Sequence, residues 1–299
     1  MDYTIDKKKV VKAFNQAAAH YDATAVLQKM VGEQLIERLD LEKLNPKLIV
    51  DLGAGTGLQA EVLHHRYQQS HIIALDFAFN MVQQAKKRFK NTLPQVFSKI
   101  LGRLKSSSTL GAVYCVCGDL ENLPLAPESV DVIFSNLALQ WNWQLDSVFE
   151  EFKRILKPKG LLVFTTLGPD TLKELRESWV TVDEDQHVNT FMDMHDIGDK
   201  LVYRDFVNPV MDVERYILNY PDVYKLMKDL KNLGAHIVGS GRNKGLMGKN
   251  RQQKMIQYYE SFRNPEGLPA SFEVIFGHAW RRDLTGFKRI PRTTPKTLF

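Results

Sequence analysis

Between residues 45 and 168 two kinds of hydrophobic pattern alternate. Short apolar runs, LIVDL (48–52), HIIALD (71–76), AVYCVCGD (112–119) and VDVIFSN (130–136), read as buried strands. Between them, apolar residues fall three and four apart, the period of a helix face. Leu58, Val62, Leu63 and Tyr67 stripe one predicted helix, and residues 78–90 form the next. Leu145, Val148, Phe149, Phe152, Ile155 and Leu156 make the cleanest stripe of the chain. LKPKGLLVFTTLG (156–168) carries a turn and then a fifth strand. Strands alternating with helices imply right-handed crossovers and a mostly parallel sheet.

The flanks read differently. Residues 7–39 predict one or two helices, with Val10, Val11, Phe14 and Ala18 on one apolar face and Leu27, Met30, Val31 and Leu35 on another. Residues 169–232 read as mainly helical or irregular and polar, apart from FVNPVMDV (206–213), a strand candidate. AHIV (235–238) and FEVIFGHAW (272–280) are further strand candidates. Residues 91–111 are long for a connection and read as a surface excursion. The expected organisation is a helical lid over 1–44, an α/β domain over 45–280 with a helical insertion at about 169–232, and a disordered tail over 281–299.

Composition narrows the function class. At 299 residues and 44% hydrophobic content the chain can bury a full core. No run approaches the ~18 apolar residues of a membrane helix, and MDYTIDKKKVVKAF lacks the apolar core of a secretory signal. The expectation is a cytoplasmic protein with no membrane partner. Cys115 and Cys117 lie on one face of one strand, a poor geometry for a disulfide and too few thiols for a zinc site. They read as core residues of a reduced protein. The net charge of +5 resides in residues 281–299, where six basic side chains face one acid, and residues 1–280 are balanced. Charge alone therefore gives the body no nucleic-acid footprint.

The candidate chemistry starts at LIVDLGAGTGLQA (48–60). Asp51, Gly53, Gly55 and Gly57 give a DxGxGxG spacing, neither the GxGxxG of a dinucleotide site nor the GK[ST] of a phosphate-gripping loop. Glycines after a strand let the backbone turn tightly and a ligand approach it, and the following helix offers N–H groups to an anion. Asp76 ends the second strand, where a carboxylate can accept both hydroxyls of a ribose. Asp119, in CGDLENLPL, can accept from an exocyclic amine such as that of adenine, with Leu120 packing on the ring. Asn136 ends the fourth strand in SNLALQW. A ligand with a ribose, an amine-bearing base and an amino-acid end fits this series, and S-adenosylmethionine is such a ligand.

These motifs, VDLGAGTG, ALDFAFNMV, CGDLENLPL, DVIFSNLALQW and RILKPKGLLVFTT, resemble those of the class I S-adenosylmethionine-dependent methyltransferases. The resemblance implies a Rossmann-like α/β fold with a mostly parallel seven-stranded sheet. It implies that Gly53, Gly55 and Gly57 hold the methionine end, Asp76 the ribose and Asp119 the adenine. The chain has no Pro-Pro pair after the fourth strand, as amine methylation of nucleic acids would require, and His187 and His195 read as structural. AFNQAAAHYDATAVLQ (13–28), TTLGPDTL (165–172), HVNTF, NPVMDVERY (208–216), LKNLGAHIVGSGR (230–242) and FEVIFGHAW resemble one subfamily, the biotin-pathway malonyl-acyl-carrier-protein O-methyltransferases.

That resemblance implies methylation of a malonyl carboxylate presented on an acyl-carrier protein, or on CoA. Arg242 is the candidate grip on the carboxylate, Tyr21 a candidate lid residue that closes the site, and Gln28 a further cofactor contact. Carrier proteins are typically acidic, so a basic docking patch is expected. The candidates are Lys153, Arg154, Lys157 and Lys159, or the preferred group Arg242, Lys244, Lys249 and Arg251. The competing readings are a different acceptor or an oxidation on the same fold, and a non-catalytic assembly factor.

Overall fold

The computed structural model describes residues 6–41, 43–90, 110–142, 144–233 and 249–283. Its strands are β1 (Leu48–Leu52), β2 (His71–Asp76), β3 (Val113–Cys117), β4 (Val130–Ser135), β5 (Leu156–Leu167), β6 (Phe206–Tyr220) and β7 (Leu268–Arg281). They form one seven-stranded sheet in the order β3-β2-β1-β4-β5-β7-β6. The first five strands of the chain pair in parallel, and β7 runs antiparallel to both β5 and β6. The expected parallel core is therefore present, closed at one side by a long antiparallel pair.

Helices cover both faces. They are α1 (Lys7–Ala17), α2 (Tyr21–Thr24), α3 (Val26–Arg38), α4 (Leu58–Arg66), α5 (Phe79–Lys90), α6 (Leu145–Ile155), α7 (Lys173–Val180), α8 (Met194–Tyr203), α9 (Val223–Asn232) and α10 (Lys249–Tyr259). The α6 stripe is as predicted: Leu145, Val148, Phe149, Phe152 and Ile155 are buried, and the Phe149 ring meets those of Phe164 and Phe206 at 6.2 and 6.3 Å. Each such side chain contributes about 1.5–3 kcal/mol by leaving water. The α4 stripe is turned. Val62 is 39% exposed, and Gln59, Ala60 and Leu63 are the buried face. Gln59 faces α3, where Gly32 leaves room for it; a Cβ at Gly32 would stand 2.2 Å from its Nε2.

Three further expectations change. In the segment 169–232, read as mainly helical or irregular, the strand expected at 206–213 is present but longer: β6 occupies fifteen residues and runs on to Tyr220. Its alternating burial, with Asn208, Asp212, Arg215 and Asn219 but also Val210 and Ile217 exposed, marks an edge strand with one wet face. The turn expected inside 156–168 lies within β5, where Lys159 takes φ +62° and the pairing with β4 slips a register. Cys117 is exposed, because β3 is the sheet's edge, and is not a core residue; Cys115 is half-buried and packs against the main core. AHIV (235–238), Arg242, Lys244, residues 91–109 and residues 284–299 lie outside the described residues. No helix among the described residues is long and apolar enough to cross a membrane.

The N-terminal stretch forms three helices rather than one or two. The backbone leaves helical geometry at His20 (φ −121°, ψ 3°) and at Ala25 (φ −80°, ψ 46°). Asp6 caps α1 by accepting from Lys9 N. Val10, Phe14, Ala17 and Ala18 pack on Ala78 and Met81 at the start of α5, and Asn80 N donates to Asn15 Oδ1 at 2.7 Å. By contrast α3 buries Leu27, Val31, Leu35 and Ile36 in the main core with Ile49, Phe134 and Phe276.

Candidate functional site

The carboxyl ends of β1, β2 and β4 converge beneath α1 and α2, where open α/β sheets bind ligands. Gly53, Gly55 and Gly57 all take left-handed φ, +76°, +54° and +82°. Gly53 N and Ala54 N donate to Leu75 O at 2.8 and 3.0 Å, which folds the loop back over β2. A Cβ at Gly53 would meet Ala138 Cβ at 2.3 Å, so side chains are excluded by space as well as by conformation. Gly57 shapes the loop from behind: its Cβ would meet Phe89 at 2.9 Å, and it lines neither cavity beside the loop.

Two small cavities flank the Tyr21 ring. One, of about 40 Å³, is walled by Lys7, Gly53, Asp76, Asp119, Leu120 and Trp141 among others. The second, of about 50 Å³, is walled by Gln28, Asp51, Gly55, Gln59 and Asn136 among others. Tyr21 also walls a third, wider cleft of about 340 Å³ that extends from Phe14 and Trp141 to α9. Tyr21 thus stands where all three meet. Burial, with Asp76 and Asp22 nearby, pushes its hydroxyl well above the usual tyrosine range.

The acids behave as buried groups. Asp76 accepts from Gly55 N at 2.9 Å and Ala78 N at 2.8 Å, yet burial still lifts its pKa to about 6. Asp51 is 1% exposed, and burial, with the Asp76 charge second, lifts it to about 8. Asp51 Oδ2 and Gln28 Oε1 are buried acceptors without a donor, and both residues wall the same cavity. An orphaned carboxyl oxygen and an orphaned amide oxygen on one cavity call for a cation with several N–H donors. The ammonium of an amino-acid end fits that demand, so the residues present fit the cofactor suggested by the sequence.

Two predicted contacts are engaged within the protein. Both Asp119 oxygens accept from Lys7 Nζ of α1 at 2.7 Å, and Lys7 also pairs with Glu121 at 3.0 Å. Asn136 Nδ2 donates to Gln28 O at 2.8 Å while its Oδ1 accepts from Thr165 Oγ1 at 2.7 Å, tying α3 to β4 and β5. Leu120 is buried and walls the cavity that holds Asp76 and Asp119. The structure thus gathers Tyr21, Gln28, Asp51, Gly53, Gly55, Asp76, Asp119, Leu120 and Asn136 about one loop, with Gly57 behind it. Arg242 falls outside the described residues.

Sequence reasoning missed Lys7, Phe14, Phe77 and Trp141. The Phe14 ring lies 5.7 Å from Phe77 and 5.3 Å from Trp141, forming an aromatic wall between α1 and the sheet edge. Phe77 and Trp141 follow Asp76 and SNLALQ in sequence, a position that could have flagged them; Lys7 sits in a run of three lysines that carries no such signal. Latches hold α2 down. Thr56 Oγ1 donates to Asp22 at 2.5 Å, and Arg88 Nη2 donates to the same carboxylate at 2.6 Å.

Elsewhere, His187 stacks on Trp179 at 3.7 Å and bonds Asp183 at 2.7 Å. Asp183, Asp185 and His187 bring three potential ligand atoms within 4.8 Å of one another, a convergence the sequence reading did not see. Asp183 is already engaged by His187 and, at 3.5 Å, by Arg251.

Comparison with known proteins places this geometry. The family described as a methyltransferase domain matches residues 50–164, from β1 to β5. The crystal structure of YcgJ protein from Bacillus subtilis covers 84% of this chain and 99% of its own, with a TM-score of 0.55 at 17% identity, a likeness of fold. Malonyl-[acyl-carrier protein] O-methyltransferase of Methylovorus sp. (strain MP688) is 46% identical over 93% of this chain and 90% of its own length. The protein of that name from Nitrosospira multiformis is 44% identical over 99% of this chain and 94% of its own length. Likeness at that level over nearly the whole length is not confined to the cofactor half, and the chain belongs to the malonyl-[acyl-carrier protein] O-methyltransferase family of methyltransferases.

Proposed function

We propose that the chain is an S-adenosylmethionine-dependent carboxyl O-methyltransferase that converts the free carboxylate of a malonyl thioester on acyl-carrier protein to its methyl ester. Its place is an early step in making the pimeloyl part of biotin. The observation that carries this reading is the shared wall: Phe14, Tyr21, Leu137 and Trp141 line both the cavity at the glycine loop and the wide cleft. A group lying in the cleft can therefore present one end to whatever the loop holds.

When bound, the cofactor supplies an electrophilic methyl on sulfonium and leaves as S-adenosylhomocysteine. A malonyl carboxylate is ionised at pH 7, so its oxygen attacks without a general base. The protein's task is to align oxygen, methyl carbon and sulfur and to keep water out. Asp51 and Gln28 hold the ammonium, Asp76 the ribose, and Leu120 with Phe77 the base. The aromatic wall of Phe14, Tyr21 and Trp141 excludes water. Arg242 is assigned the grip on the substrate carboxylate, a charge-assisted contact worth about 1.5–3 kcal/mol.

The test is methyl transfer to malonyl-carrier, acetyl-carrier and malonyl-CoA. Methylation of malonyl-carrier but not acetyl-carrier is expected, with kcat/KM for Arg242→Ala lower by about tenfold or more. Equal labelling of the acetyl form would overturn carboxylate chemistry, and full activity in Arg242→Ala would remove the assignment of that residue.

A further inference from the structure

The wide cleft has an inner end and a mouth. Tyr21 and Trp141 wall the inner end, beside the glycine loop. At the mouth stand the exposed residues Ala23, Val26, Asn219 and Pro221 and, from α9, Lys225, with Asp229 and Leu230 behind it. Anything presented to Tyr21 from outside by this route passes α9.

That helix is two-sided. Val223 and Leu226 are buried, while Tyr224, Lys225, Lys228 and Lys231 are exposed. Lysines three apart are neighbours on a helix surface. Lys225 pairs with Asp229 at 2.8 Å; Lys228 and Lys231 make no ion pair among the described residues. Tyr224, 61% exposed, adds an aromatic surface beside them. The basic group at the end of α6 is committed internally: Lys153 to Asp205, Arg154 to Glu151, Lys157 to Asp131 and Lys159 to Asp283, at 2.6–3.1 Å. Lys86, Lys87 and Lys90 of α5 are exposed, but α5 contributes no wall to the cleft.

We infer that the Tyr224, Lys225, Lys228 and Lys231 face of α9 is the docking surface for the acidic carrier protein, holding it at the cleft mouth with its thioester arm directed inward. The inference rests on the function proposed above. The occupant follows from charge and position. An acyl thioester on a tether needs its carrier at the mouth, and the mouth's helix carries uncommitted positive charge that complements an acidic partner. Exposed complementary charges act on encounter and on its salt dependence more than on the chemical step.

The experiment compares wild type with the double variant Lys228→Glu/Lys231→Glu, using malonyl-carrier and malonyl-CoA at low and high salt. The preference for carrier over CoA, read as the ratio of their kcat/KM values, is expected to fall about tenfold, mostly through KM for the carrier. The salt dependence of that KM should flatten. Lys228→Gln/Lys231→Gln should give an intermediate loss. Lys86→Glu/Lys87→Glu/Lys90→Glu on α5 should keep the wild-type ratio. An unchanged ratio in the folded α9 variant, or a loss confined to the α5 variant, overturns the docking surface alone. A wild type inactive on both thioesters overturns the function reading, and this inference with it.

Discussion

Asp51 and Asp76 are carboxyl groups that burial holds toward the protonated form, with pKa values lifted to about 8 and about 6. Both folded values exceed the unfolded value near 3.8. The folded chain therefore binds more protons than the unfolded one between about pH 4 and 8, and the free protein loses stability as pH rises through that window. A ligand ammonium beside Asp51 favours the carboxylate, so binding at pH 7 must expel a proton. We expect the binding enthalpy of S-adenosylhomocysteine at pH 7 to differ between phosphate and Tris, by the difference in their ionisation heats times the protons released. Affinity should rise from pH 7 to 8. Asp51→Asn should abolish the buffer dependence and flatten the stability profile above pH 6. Identical heats in both buffers for wild type would contradict the ammonium contact. At this scale the sequence was largely readable: Asp51, Asp76 and the glycines carry a spacing tied to backbone geometry. Lys7 was not, because its role depends on where α1 lands rather than on its neighbours.

The helices over the site differ in how they are anchored. α3 shares the main core, whereas α1 and α2 rest on a small cluster and on polar latches. The cavities beside the glycine loop, about 40 and 50 Å³, are far below the ~300 Å³ or more of a small-molecule site, so we expect α1 and α2 to lift as the ligand enters. The break at Ala25 is the natural hinge, and Asp22, held by Thr56 and Arg88, is the latch nearest it. Asp22 is half exposed, which limits the latch to about 1 kcal/mol, or roughly fivefold in the opening equilibrium. In stopped-flow binding of S-adenosylhomocysteine, the wild-type rate should level off at high ligand concentration, limited by opening. Asp22→Ala should raise that plateau about fivefold. A rate linear in ligand, identical in both proteins, would show that no such gate exists. Periodicity located α6 because one face meets the sheet and the other meets water. It misjudged α4 because that helix is sandwiched between sheet and lid, so Gln59 is buried while Val62 is not. It stopped β6 at residue 213 because the alternation of an edge strand through ERYILNY resembles no continuous apolar run.

Across the whole molecule the site sits at the centre of the sheet, and one core cluster links both halves, from Leu27 and Val31 of α3 through Ile49 and Phe134 to Val274 and Phe276 of β7. Polar ties run the same way. Arg38 of α3 pairs with Glu214 and Asp212 of β6 at 2.5 and 2.9 Å, its guanidinium 3.9 Å from the centroid of the Phe276 ring. The antiparallel β6–β7 pair is thus fastened to the same helix whose Gln28 walls the cavity beside the glycine loop, and neither half can unfold without exposing the other's core. A ligand binding only the folded state adds stability according to its concentration over its Kd, about 2.7 kcal/mol at a hundredfold excess. Because the structure is coupled in this way, that energy should reach every strand rather than the loop alone. In calorimetry the chain should melt in one transition, with the calorimetric and van't Hoff enthalpies equal. Saturation with S-adenosylhomocysteine should move that single transition up by about 5 °C. Arg38→Met should lower its midpoint without splitting it. Two transitions, with only one responding to the ligand, would mean that the β6–β7 pair folds independently of the site.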